Sequence, residues 1–170
     1  LLVQQATGYA LISFGGLVVP FAEDWWRFLS APFAYGDVGY LSVVALALVI
    51  FSTGVERRLG TAPTAILILA CGSLGMLAAV GVANAQDELA VIAGGNGIAL
   101  GMLAAWFVLR RAEARGAIDQ EYDWIGVAVS AAVLLLLPVF TSADLVAGLA
   151  GGVVGGLAGL LAVAVRPSHG

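Results

Sequence analysis

Six apolar runs divide the chain at roughly 2–21, 38–55, 62–84, 92–109, 123–140 and 144–165, with polar breaks between them. Each approaches the about 20 residues that a helix needs to cross a hydrocarbon core of about 30 Å. None alternates apolar and polar residues as a strand of a membrane barrel does. A bilayer core offers no water to free backbone N–H and C=O groups, so such runs are expected as helices. The pattern therefore predicts an all-α membrane protein with six transmembrane helices. Most breaks are short; the exceptions are 22–37 and 110–122.

Composition strengthens this reading. The chain is 61% hydrophobic and 11% charged, with mean hydropathy +1.03. Soluble domains carry about 25% charged residues, which this chain could not supply to a water-facing surface. Leu1 is not an initiator methionine, so the true start is expected upstream, and no cleavable leader pattern is visible.

The charges set an orientation. Net charge is −4, with seven arginines and no lysine. Arg57 and Arg58 follow the second run, Arg110, Arg111 and Arg115 the fourth, and Arg166 the sixth. The positive-inside rule places those ends, and both termini, in the cytoplasm of a multi-pass cell-membrane protein. The opposite breaks hold Glu23, Asp24, Asp37, Asp87, Glu88 and Asp144, with Arg27 as their only cation. Residues 1–166 read as the membrane domain and 167–170 as a cytoplasmic tail. Abundant Ala, Gly, Val and Arg without Lys suggests a GC-rich bacterial source, hence a bacterial inner membrane. The acidic balance excludes a nucleic-acid partner. Cys71 lies alone in an apolar run and His169 is next to last, so no metal or cofactor site is expected.

Two stretches carry more than membrane insertion. The break at 22–37, "FAEDWWRFLSAPFAYGD" in its aromatic part, reads as a structured loop half-sunk in the outer leaflet, because Arg27 would otherwise be costly there. We expect its guanidinium to bond backbone carbonyls of that loop. The sixth run holds six glycines in twelve residues, Gly148/Gly152/Gly156 and Gly151/Gly155/Gly159. Glycines four apart let another helix approach to backbone contact. The expected partner is the fourth run, which opens with Gly94, Gly95 and Gly97 around Asn96.

Taken together, these motifs resemble the rhomboid family of intramembrane serine proteases. "WWRFLSAPF" is similar to the family's Trp-Arg motif at Trp26 and Arg27. "GVERRLG" is similar to its Glu-x-Arg-x-Gly signature at Glu56, Arg58 and Gly60. "GGNG" stands where the family has Gly-x-Ser-Gly, and "AGLAGGVVG" where it has Ala-His-x-x-Gly-x-x-x-Gly. The resemblance implies a six-transmembrane-helix rhomboid-like bundle with an outer cavity and a lateral gap.

It also implies a missing active site. The family's nucleophilic serine falls on Asn96 and its histidine base on Gly148. An amide nitrogen is a poor nucleophile because its lone pair is delocalised, and glycine carries no base. The family's His-x-x-x-x-His-x-x-x-Asn falls on Tyr35, Tyr40 and Val44. Val44 has no donor for an oxyanion, while Tyr40 retains a hydroxyl that can donate. A tyrosine that packs on the family's histidine falls on Leu100. Asn96 is then expected to satisfy backbone groups at a partly hydrated helix end. The expected function is that of an inactive scaffold, a rhomboid pseudoprotease. Its expected partners are membrane lipids and a transmembrane protein client. The alternatives are a constitutive subunit of a larger membrane complex and, last, a residual intramembrane serine protease.

Overall fold

Short polar side chains and glycines decide where the helices begin and end. The computed structural model describes residues 15–19, 24–87, 89–114 and 124–165. A short helix α1 (Arg27–Ser30) runs into a 3-10 turn (Ala31–Phe33). Helix α2 (Val38–Leu59) starts where the Asp37 carboxylate accepts the Tyr40 N–H at 2.8 Å, an N-cap that satisfies one of the orphan donors of the first turn. It stops at Gly60, whose φ of +89° suits glycine alone. Helix α3 (Thr61–Ala85) begins one residue later, so α2 and α3 form a hairpin with almost no loop. Helices α4 (Asn96–Ala114), α5 (Trp124–Phe140) and α6 (Leu145–Val165) complete the bundle. Asp144 caps α6 by accepting the Ala147 N–H at 2.7 Å.

The helices α2, α3 and α6 are long and apolar enough to cross a membrane, and α5 holds a shorter apolar stretch, Ile125–Val139. Helix α4 is the central one. Ile98, Ala99, Met102, Leu103, Ala105 and Leu109 are buried in it, against α2, α3 and α6. Helix α2 buries Tyr40, Val44, Ala47, Phe51 and Val55, a stripe at helical spacing, and turns Leu46, Val49 and Ile50 outward. Large apolar residues facing outward all around a bundle are what lipid contact requires.

The first apolar run does not form one helix. Gly15 lies in a turn, and Leu17–Val19 form strand β1, paired antiparallel with β2 (Ala90–Ile92) in the register Leu17↔Ile92, Val18↔Val91 and Val19↔Ala90. The expectation of a helix at 2–21 therefore fails at 15–19, and its remaining residues lie outside the described ones. The physical reason is local. Gly15 takes φ +106°, and three residues rich in valine satisfy their backbone groups against a partner strand as well as a helix would. The fourth run likewise opens as strand and turn, and α4 begins at Asn96, four residues later than the pattern indicates. Among the described residues this two-stranded sheet is the exception to a helical fold. The tail 167–170 lies outside the described residues.

The largest helix interface joins α4 to α6. A methyl group at Gly151 would fall against the backbone of Gly97, and one at Gly155 against the backbone of Gly101. On the other side of α4, a methyl at Gly101 would meet Cys71 of α3. Cys71 is buried and unpaired in a disulfide. The opposite end of the bundle is tied by charge. Arg58 forks onto Glu113, Nε to Oε1 and Nη2 to Oε2, both at 2.7 Å, and its Nη1 donates to the Gly54 carbonyl at 2.7 Å. Glu56 accepts the Thr61 hydroxyl at 2.6 Å across the Gly60 turn. The Glu56, Arg58 and Gly60 positions thus turn the chain and join α2 to α4.

Candidate functional site

The strand β2 delivers the chain into three residues, Ala93 to Gly95, that precede α4. Gly94 has φ +101° and donates its N–H to the Ala31 carbonyl at 2.8 Å. That bond fastens the 3-10 turn of the first loop to the start of α4. Side chains are excluded here. A methyl at Gly94 would collide with the Tyr40 ring, and one at Gly95 with the Tyr35 hydroxyl, the Val44 side chain at 3.0 Å and the Pro32 carbonyl at 3.1 Å. Tyr35 and Tyr40 meet edge to face with centroids 5.2 Å apart. Tyr35, Tyr40 and Val44 therefore form one wall over the glycines.

Asn96 is fully buried at the centre of this arrangement. Its backbone N–H donates to the Tyr40 hydroxyl at 3.0 Å. Its side-chain Nδ2 donates to the Asp144 carbonyl, 3.2 Å away and just before α6. Its Oδ1 is buried without a hydrogen-bond partner among the described residues. Across from the amide lies Gly148, where a methyl would meet Nδ2 and approach Cγ to 3.1 Å and Leu100 Cδ1 to 3.0 Å. Asn96, Gly148, Leu100, Tyr40 and Val44 are thus brought together.

Asn96 satisfies a backbone carbonyl at the start of α6, as expected of it. The hydration expected at that helix end is not seen, since Asn96 is fully buried. The Tyr40 hydroxyl accepts the Asn96 N–H, so that backbone donor is engaged. Burial pushes the Tyr35 phenol up to about 12, and a hydrogen bond with the Gly95 backbone only partly offsets this. Tyr35 is therefore neutral at any physiological pH and contributes no charge.

What can this pocket do chemically? Nucleophilic attack needs a hydroxyl, thiol or amine activated by a base within hydrogen-bond reach. The two residues that face each other here are an amide and a glycine. The thiol of Cys71 packs against α4, where a methyl at Gly101 would touch it. What the pocket retains is one unused acceptor, Asn96 Oδ1.

The first loop is held over the pocket by Arg27. Its Nη1 donates to the Gly16 carbonyl at 3.0 Å, and its Nε pairs with Asp24 at 2.9 Å. The guanidinium lies 5.1 Å from the Trp26 ring centroid, within reach of a cation–π contact. That carbonyl belongs to the turn before β1, outside the 22–37 loop. Arg27 therefore fastens that loop to the small sheet. Arg27→Ala should loosen the loop and leave the helices folded, at a local cost of about 1 kcal/mol, since the ion pair is partly exposed. Arg27→Lys should restore only part of it, because an ammonium lacks the planar fork of donors. Limited proteolysis within 22–37 should rank Ala above Lys above parent; equal cleavage of all three would show that Arg27 does not hold the loop.

Two apolar grooves flank α5. One, of about 410 Å³, lies between α4, α5 and α6 and is lined by residues including Leu100, Phe107, Val127, Gly148 and Gly152. The other, of about 160 Å³, lies between α2 and α5 beside Leu46, Ile50 and Val133. A model of the Rhomboid domain matches residues 22–165, from the loop of Trp26 and Arg27 to the end of α6. No curated protein matches the chain.

Proposed function

The chain belongs to the rhomboid family of multi-pass membrane proteins, and from that premise we propose that it is a catalytically inactive member that binds transmembrane segments of partner proteins. One observation carries the reading: the amide of Asn96 faces Gly148, where the family's serine would face its histidine. Neither residue can attack a carbonyl or take a proton. The only histidine in the chain is His169, which follows the sixth apolar run. In the orientation that the arginines favour, His169 is cytoplasmic and a membrane thickness away from the pocket.

The grooves beside α5 support binding of another helix. Gly152 and Gly156 are not needed by the bundle itself, because a methyl there meets nothing nearer than 3.7 Å and 3.9 Å. They leave a shallow apolar surface on α6 next to α5, and close approach of a foreign helix favours such small residues. Photo-crosslinking tests this. A benzophenone residue placed at Val153, in the larger groove, should capture a varied set of membrane proteins through their transmembrane segments in the native membrane. Capture of one protein at constant stoichiometry would favour a fixed subunit instead, and adducts with lipid alone would sink both.

A further inference from the structure

We infer that the pocket at the arginine-bearing ends of α2 and α4 binds the phosphate of an anionic membrane phospholipid, with an acyl chain lying along α2. The cavity has about 640 Å³, within the usual size of small-molecule sites. Its two ends differ in chemistry. Toward the hydrocarbon it is walled by Val49 and Ile50, both turned outward from the bundle. At the other end stand Arg57, Arg58 and Glu113, which together leave one net positive charge. Trp106 lies between, seated against α2 because Gly54 has no side chain: a methyl there would collide with the indole. Tryptophan at the boundary of oil and water has an apolar ring and one polar N–H, which suits an amphiphile's neck.

The two arginines do different things. Arg58 is committed to Glu113 and to the Gly54 carbonyl, so its charge is balanced and its position fixed. Arg57 is exposed, and no ion pair engages it among the described residues. Helices α2 and α4 both end here, and helix C-termini carry partial negative charge. An anion gains nothing from them and must be held by a guanidinium. Arg57 is therefore the residue on which binding depends. A free phosphate would use Arg57 but would have no use for Val49, Ile50 and the face of Trp106. The apolar end selects a ligand with a tail.

Native mass spectrometry of the full chain, released from detergent with added lipid, tests this. The probes are dioleoyl-phosphatidylglycerol, dioleoyl-phosphatidylcholine and inorganic phosphate. One phosphatidylglycerol per chain should be retained, with phosphatidylcholine held several-fold less well and excess inorganic phosphate unable to displace the lipid. Arg57→Gln should weaken retention about tenfold, the scale of one lost charge-assisted contact. Arg110→Gln removes the same charge from the same end of the bundle but outside the pocket, and should change retention less than twofold. Equal losses in the two variants would reduce the effect to general attraction of anions and overturn the site. So would equal retention of the two lipids, or displacement by inorganic phosphate. Arg57 is exposed, so its replacement leaves the fold intact, and an unchanged melting temperature of Arg57→Gln verifies that.

Discussion

Gly155→Ala should destabilise the protein by about 1–3 kcal/mol, whereas Gly156→Ala, one residue on, should be neutral or stabilising by up to about 1 kcal/mol. The difference lies in what each new methyl meets. At Gly155 it would fall onto the carbonyl oxygen of Gly101, with that residue's Cα only 2.6 Å away. Both obstacles are backbone, so relief requires α4 and α6 to move apart. The interface they would open is the largest in the bundle. At Gly156 the nearest atom is the Ala104 methyl at 3.9 Å, ordinary van der Waals contact. There the substitution adds a favourable contact and removes a glycine from a helix interior. Leucine at Gly151 or Gly155 should cost at least as much as alanine. Thermal unfolding in detergent, followed by circular dichroism, reads the sign directly. If Gly155→Ala melted at or above the parent temperature, the contact of α4 and α6 along this glycine line would be wrong.

The second large effect is one of activity. The parent chain should take no label from a serine-directed fluorophosphonate and should cut no transmembrane substrate. Asn96→Ser with Gly148→His restores the two groups in the family's order, yet we expect little activity. Serine removes the amide that would collide with the new His Cβ, so the pair can be accommodated on that side. Leu100 Cδ1, however, would still lie 3.0 Å from that Cβ and offers the imidazole no hydrogen bond. The Tyr40 hydroxyl would still occupy the backbone N–H of residue 96, and Val44 still brings no donor. Loss of a single oxyanion donor costs about 10²–10³ in kcat. Adding Tyr40→His and Val44→Asn to the pair should therefore raise labelling well above that of the double variant. Robust cleavage by the unaltered chain would refute the inactive reading outright.

Much of the site was legible because its positions are fixed by spacing. Gly151 and Gly155 recur every fourth residue, which places them on one helix face whatever the tertiary structure. Asn96 and Gly148 were located by the motifs around them. The partners were not legible. The amide of Asn96 ends on a main-chain carbonyl 48 residues away, and every residue has such a carbonyl. The Tyr40 hydroxyl could have pointed to any acceptor or donor within the pocket, and only the turn at Gly94 decides that it meets the Asn96 N–H. The strand Leu17–Val19 was missed for a different reason. In an apolar run without polar alternation, helix and buried strand have the same signature. The signal that could have separated them was Gly15–Gly16 immediately before Leu17 and two valines, a poor helix interior but an acceptable start to a strand.

The dominance of the α4–α6 interface also bears on how the chain is made. These helices are not neighbours in sequence; α5 lies between them. As the chain leaves the ribosome, α4 is complete about fifty residues before α6 is, a wait of roughly 3–10 s at about 5–20 residues per second. Throughout that interval the sides of Gly97 and Gly101 that meet Gly151 and Gly155 lack their α6 cover, and for its first part the Asn96 amide has no Asp144 carbonyl to bond. The central helix of the finished bundle is thus, for several seconds of synthesis, the one most in need of a temporary companion.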